Sequence, residues 1–267
     1  MQRRQILKLL GANLLGSSVV QPSAFPATAS PAKNWGYLGD TSPEHWSELS
    51  PEFQLCQTGQ QQAPIDIAAA TASESEQLQI SYHPTSLSIT NTLRTLQVNY
   101  APGSFLTFQG ETFQLLQFHF HHPSEHRLLG KSFDLEIHLV HRSPAGKLAV
   151  IGVFAQVGKF NSTLKPIWDA MPAQPGKVEK NTLINAAQLL PPDRAEKGTA
   201  LHHSFQHQFY KYRGSLTTPP CTENVLWFVM TQPIEVSAEQ VQQFAALFPL
   251  NARPIQARGD RVIKQSL

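Results

Sequence analysis

Nine residues, Gln117-Phe-His-Phe-His-His-Pro-Ser-Glu125, constrain this chain more than any other stretch. His119 and His121 are two positions apart, so on a β-strand both imidazoles leave the same face. His138 follows 17 positions after His121, room for a turn and a return on a neighbouring strand. A fold that uses all three must lay two strands side by side with their histidines facing one way. Three neutral imidazoles without a thiolate are the donor set of a catalytic Zn2+ site, which keeps a fourth position for water.

The neighbours obey the same parity. Gln117 stands two before His119 and Glu136 two before His138, so each shares a face with its candidate ligand. A ligating histidine gives its other ring N–H to an amide, carboxylate or carbonyl, which fixes its tautomer. A lone pair of histidines on a strand is more often solvated than metallated. Both polar partners in phase with the histidines are what lift this segment above that reading.

Short apolar-alternating runs dominate the rest of the chain. Strands are predicted at 78–82, 86–90, 95–100, 105–108, 112–121, 135–141, 148–157 and 224–230, separated by Pro, Gly, Asn and Ser turns. Helices are predicted at 162–171, with Leu164, Ile167, Trp168 and Met171 on one stripe, and at 237–248, which opens on a Ser-x-x-Gln capping box. Charged residues are only 15% of the chain and prolines number 20, which suits a loop-rich β-protein rather than a helical bundle. The expected fold is mainly β: a single domain on a large twisted, mostly antiparallel central sheet with short peripheral helices.

Residues 1–29 read as a signal peptide. Arg3, Arg4 and Lys8 precede or open an apolar run from Ile6 to Val20, and Ala27-Thr-Ala29 offers a small-x-small cleavage site, with Pro22-Ser-Ala24 as a second choice. Lys8, Gly11, Asn13 and Gly16 interrupt the run, which is too short and too polar to span a bilayer. The arginine pair resembles a twin-arginine export signal. A linker at 30–34 and a folded domain at 35–267 follow. The expectation is an exported protein, in the periplasm or, depending on the host, the thylakoid lumen or the medium. The mature part keeps 18 basic against 19 acidic residues, so no basic stripe points to nucleic acid. No transmembrane segment is expected in it.

Two cysteines, Cys56 and Cys221, in an exported chain point to a disulfide closing a loop of 165 residues. Two buried free thiols are the alternative that composition leaves open.

The segments Pro43-Glu-His-Trp46, Gln62-Ala-Pro-Ile-Asp-Ile67, 117–126, 136–141, Leu148-Ala-Val150 and Gly214-Ser-Leu-Thr-Thr-Pro-Pro220 resemble the α-class carbonic anhydrases of the exported bacterial type. The resemblance runs from Trp35 to Pro254. It implies reversible hydration of CO2 to bicarbonate and a proton by a hydroxide held on Zn2+, with His119, His121 and His138 as ligands and Gln117 and Glu136 as their partners. It implies that Thr217 accepts a hydrogen bond from the hydroxide, passes its own proton to Glu125, and offers its backbone N–H to the substrate oxygen. Thr218 would line the mouth, and Val140, Val150, Leu216, Val225 and Trp227 the apolar wall beside CO2. Cys56 and Cys221 match the disulfide pair of exported members. His126 would serve the core by hydrogen bonding, with His122 out of phase and His202, His203 and His207 in a solvated segment.

One departure from the family bears on the chemistry. Arg94 falls where fast members carry a proton-shuttling histidine, and no histidine occurs between His83 and His119. Arginine keeps its proton at pH 7 and cannot relay one. Leu93 also replaces a glycine, and Ala252 a tryptophan. The expected enzyme depends on external buffer for proton transfer. The alternative is a slow or inactive zinc- or bicarbonate-binding protein that keeps the fold. A cupin reading fails, because position 113 is Phe where that pattern needs glycine, and its later histidine motif is missing. The oligomer is a monomer or a homodimer.

Overall fold

In the computed structural model, residues 34–73, 76–192 and 207–266 are described. The leader, the linker up to residue 33, His202 and His203 lie outside the described residues. All eight strands expected from alternation are present, with ends shifted by at most one residue.

In chain order the strands are β1 (Asp66–Ile67), β2 (Thr71–Ser73), β3 (Leu78–Ser81), β4 (Thr85–Asn91), β5 (Leu96–Asn99), β6 (Phe105–Phe108), β7 (Glu111–His121) and β8 (Arg127–Leu128). They continue with β9 (Leu135–Arg142), β10 (Leu148–Val157), β11 (Gly176–Ile184), β12 (Phe209–Ser215), β13 (Glu223–Met230), β14 (Ile234–Val236) and β15 (Lys264–Ser266). Among the described residues four short α-helices join them: α1 (Trp46–Leu49), α2 (Leu55–Thr58), α3 (Lys165–Asp169) and α4 (Ala238–Ala245).

Thirteen strands share one sheet whose main path runs β11-β4-β5-β7-β9-β10-β13-β12-β15-β2. Most neighbours are antiparallel, but β10 runs parallel to both β13 and β14, and β15 parallel to β2. Parallel neighbours need a long crossover. The chain between β10 and β13 supplies one, which a reading by local alternation does not reveal.

The central strands separate two apolar layers. Phe118, Phe120, Ile137, Leu139, Ile151 and Phe228 face a large core on one side, while Val150, Phe154, Tyr212, Val225 and Trp227 pack on the other. Phe118 and Phe120 are fully buried, each worth roughly 2–3 kcal/mol. They hold β7 so that the residues between them turn to the second face. That face carries the histidines.

The helices differ in how well sequence foretold them. Ser237 and Gln240 form the expected reciprocal capping box at the start of α4, which buries Val241 and Phe244. The other predicted helix shrinks to α3. Asn161 Oδ1 accepts from the backbone of Thr163 and Leu164, so the preceding residues form a capped turn instead of helix. Trp168 anchors the short remainder by donating Nε1 to Gln240 O at 2.8 Å.

Cys56 and Cys221 are disulfide-bonded, which removes the free-thiol alternative. The bridge spans 165 positions, for which chain entropy gives a ceiling of ~5 kcal/mol. The described residues belong to one compact unit.

Candidate metal centre

β7 and β9 pair antiparallel with His119 opposite His138, and His121 stands one pleat along on the same face. The three rings gather with centroids 4.5–5.3 Å apart. One nitrogen from each lies within 4.8 Å of the others. The remaining nitrogens are occupied. His119 Nδ1 meets Gln117 Oε1 at 2.9 Å, His121 Nδ1 the carbonyl of Asn251 at 2.7 Å, and His138 Nε2 Glu136 Oε1 at 2.9 Å. Each acceptor fixes its imidazole as the N–H tautomer on that side. Nε2 of His119, Nε2 of His121 and Nδ1 of His138 are left to converge.

His121 Nε2 is buried and makes no protein hydrogen bond. Leaving such an atom unpaired costs about 1–3 kcal/mol, so its position asks for a partner. Burial depresses the pKa of His119 well below its usual range, with His121 and His138 adding to the effect. Burial likewise lowers His121 to about 4 and lowers His138 against the opposing pull of Glu136. The three rings are therefore neutral, as a divalent cation requires. The donor set fits Zn2+.

A second group, His126, Glu136 and His138, also converges. Its atoms are spent on one another. Glu136 Oε1 takes His126 Nδ1 at 2.7 Å as well as His138, and Oε2 accepts the backbone N–H of Glu125 and His126. Burial raises the pKa of Glu136, but His126 and His138 outweigh it and the carboxylate stays charged. His126 Nε2 continues to Tyr212 Oη at 2.6 Å. This network braces the three converging histidines from behind.

Glu125 and Thr217 are both buried and hydrogen-bonded to each other. Glu125 Oε1 accepts the backbone N–H of Arg253 at 2.8 Å, while Oε2 lies 3.4 Å from His121 Nε2 and 3.7 Å from His138 Nδ1. Burial pushes this carboxyl up to about 7, opposed by His138, the Arg253 N–H and a hydrogen bond from Thr217. The loop carrying Thr217 and Thr218 is tied down by the Cys221 N–H donating to Thr218 O at 2.9 Å and by the disulfide.

Val140, Val150, Leu216, Val225 and Trp227 fall in one apolar cluster. The Trp227 ring packs 4.8 Å from that of His138, so the cluster adjoins the convergence point.

Arg94 projects toward the N-terminal segment. Its Nε donates to Trp35 O at 2.8 Å, and its guanidinium lies 4.4 Å over the Trp35 ring. Together with Trp35, Tyr37 and Leu250 it lines a cavity of about 310 Å3. Leu93 beside it has φ 71°, the left-handed conformation that favours glycine, so the backbone keeps a glycine-like turn despite the leucine.

Sequence reasoning missed Asn251. Its carbonyl orients His121, and its side chain bonds His122 N, Phe120 O and Arg94 O. A backbone acceptor carries no residue signature, although the three hydrogen bonds of the Asn251 side chain hold this position still.

Comparison with known proteins identifies the family. The family model described as eukaryotic-type carbonic anhydrase matches residues 41–267. A carbonic anhydrase of Nostoc sp. is 49% identical over 99% of this chain and 98% of its own length. The α-carbonic anhydrase of Thermovibrio ammonificans, solved with the inhibitor sulfanilamide, superposes with a TM-score of 0.79 at 37% identity, covering 87% of this chain and 99% of that one. A hyperthermostable carbonic anhydrase from an active hydrothermal vent chimney gives a TM-score of 0.80 at 40% identity, covering 88% and 100%.

Proposed function

The chain belongs to the eukaryotic-type, or α-class, carbonic anhydrase family and is a carbonic anhydrase, and from that premise we propose that it works through Zn2+ held by His119, His121 and His138 and hands its proton to external buffer. The observation that carries the reading is the convergence of three neutral imidazole nitrogens within 4.8 Å, each with its other nitrogen already committed. When bound there, Zn2+ lowers the pKa of its water to about 7 and so supplies hydroxide at neutral pH.

The protein's own residues do the positioning. Gln117, Glu136 and the Asn251 carbonyl hold the ligand rings against rotation. The Thr217 hydroxyl donates its hydrogen bond to Glu125, which leaves the Thr217 oxygen able only to accept on its other side. That directs the attacking oxygen toward the substrate carbon. The backbone N–H of Thr217 meets the substrate oxygen as negative charge develops. Val140, Val150, Leu216, Val225 and Trp227 offer CO2, which is uncharged, a dry wall without competing donors. Thr218 shares the mouth.

Hydration of CO2 releases bicarbonate and one proton per turnover. Arg94 cannot take that proton at pH 7. Turnover then depends on a carrier from solution. The disulfide supports an oxidising compartment. Read together with residues 1–29 as a signal peptide, it supports a mature protein outside the cytoplasm, in the periplasm.

Stopped-flow CO2 hydration on the metal-loaded mature protein tests this, with bound zinc quantified and imidazole varied from low to high concentration. Activity rising steeply with imidazole is expected. Stoichiometric zinc with no activity at any buffer concentration would leave the alternative, a binder that keeps the fold.

A further inference from the structure

On the face of the sheet opposite the histidines, the tip of the β6–β7 hairpin folds over β12 and β13 and leaves a cavity of about 260 Å3. Its walls combine two kinds of surface. Phe108, Phe113 and Leu226 are apolar, and Lys211, Arg213 and Lys264 are cationic. Strand parity explains the grouping. Lys211 and Arg213 flank Tyr212, whose hydroxyl reaches His126 on the metal side, so their own side chains go the other way. Their partners across the ladder, Phe228 and Leu226, pack with the large core on that same face.

The cations outnumber the anions that meet them. Lys211 and Lys264 share a single carboxylate, the buried Glu76, with Lys264 Nζ at 3.6 Å. Glu111, the acid in the wall, is matched by Lys147 at 3.0 Å. Arg213 makes no ion pair among the described residues. One lysine charge and one guanidinium charge are therefore left over around a partly enclosed space, where low-dielectric walls concentrate the field. Lys211 Nζ also lies 4.7 Å above the Phe108 ring, so the cationic rim and the aromatic floor are continuous. Val262 extends the apolar surface at the opening and is 63% exposed.

We propose that this cavity is a binding site for a small organic carboxylate with a flat apolar body, its carboxylate held by Arg213 and Lys264 and its body laid on Phe108 and Leu226. Arginine's planar fork matches a carboxylate through two parallel N–H donors. The space suits a single ring better than a longer chain. An inorganic anion would use the charges but leave the aromatic floor unfilled. The inference needs neither the metal nor the hydration reaction, so it stands or falls separately from them.

Benzoate is the probe, titrated into the full-length, isotope-labelled protein while amide and imidazole NMR signals are followed. Saturable shifts at residues 211–213, 226 and 264 are expected. Arg213→Ala and Lys264→Ala, both at exposed positions, should weaken binding by about threefold each and about tenfold together. Inorganic phosphate at equal ionic strength should bind at least several-fold more weakly. Shifts confined to the imidazoles of His119, His121 and His138, an affinity unchanged in the double variant, or phosphate binding as tightly as benzoate would each overturn the proposal. So would an absence of saturable shifts.

Discussion

Gly152 on β10 is the register partner of His138 on β9, and a Cβ at Gly152 would stand 3.0 Å from Glu136 Oε1. That oxygen already holds His138 Nε2 and His126 Nδ1, so it has little room to yield. Gly152→Ala is expected to push the carboxylate off its partners and loosen the His138 ring. Displacing a partner of a ligating histidine typically costs 10–100-fold in metal affinity, so a drop of at least about tenfold is expected in a competitive chelator titration. Unchanged affinity would mean that Glu136 relocates without cost.

Much of this site was legible in the sequence because a strand has a period of two. Gln117, His119 and His121 share a face whatever lies around them, and so do Glu136 and His138. The Asn251 carbonyl was not legible, because any residue could supply it from 130 positions away. β11 escaped for a different reason. Nearly all its residues are exposed, so it has no apolar alternation to read, and it exists by pairing along its length with β4. The parallel neighbours of β10 escaped because register between distant segments is set by which core they cover, not by local pattern. Leu93 and Arg94 depart from the family pattern. The structure adds that the turn kept its left-handed backbone.

His141 offers a pH-dependent contribution to stability away from the metal-facing rings. It is fully buried, with Nε2 2.6 Å from Tyr82 Oη and Nδ1 facing the Ala149 carbonyl. Burial lowers its pKa from 6.5 to about 4. Between those values the unfolded chain carries a proton on this residue that the folded chain refuses. Stability is therefore full above pH 6.5 and declines as pH falls, by about 3 kcal/mol once pH is below 4. In denaturant titrations from pH 7.5 to 4, His141→Gln should lose that share of the slope. An equal slope in both proteins would place the titrating group elsewhere.

Leu93 stands in a left-handed conformation while 71% exposed, so its side chain gains little burial for the strain. The steric cost for a residue with a Cβ there is about 1 kcal/mol. Leu93→Gly is expected to raise stability by up to about 1 kcal/mol in urea unfolding, the greater freedom of glycine in the unfolded chain offsetting part of the gain. A loss of stability would show that the contact of Leu93 with the cavity beside Trp35 matters more than its backbone strain.

Arg94 carries the sharpest kinetic expectation. Its Nε is bonded to Trp35 O and its guanidinium lies on the Trp35 ring, so the group is held in place, and it cannot exchange a proton near neutrality. Histidine at the same position titrates near pH 6.5 and could carry the proton outward from within the protein. Arg94→His should therefore raise kcat at low buffer by about tenfold or more, within the range that a positioned acid–base group contributes. The dependence on imidazole should flatten at the same time. Arg94→Ala separates this from the mere loss of a positive charge, since it should stay dependent on buffer. If Arg94→His and Arg94→Ala behave alike, and both like the unaltered enzyme, proton transfer is not the limiting step. The slow step would then have to be sought in CO2 conversion or bicarbonate release.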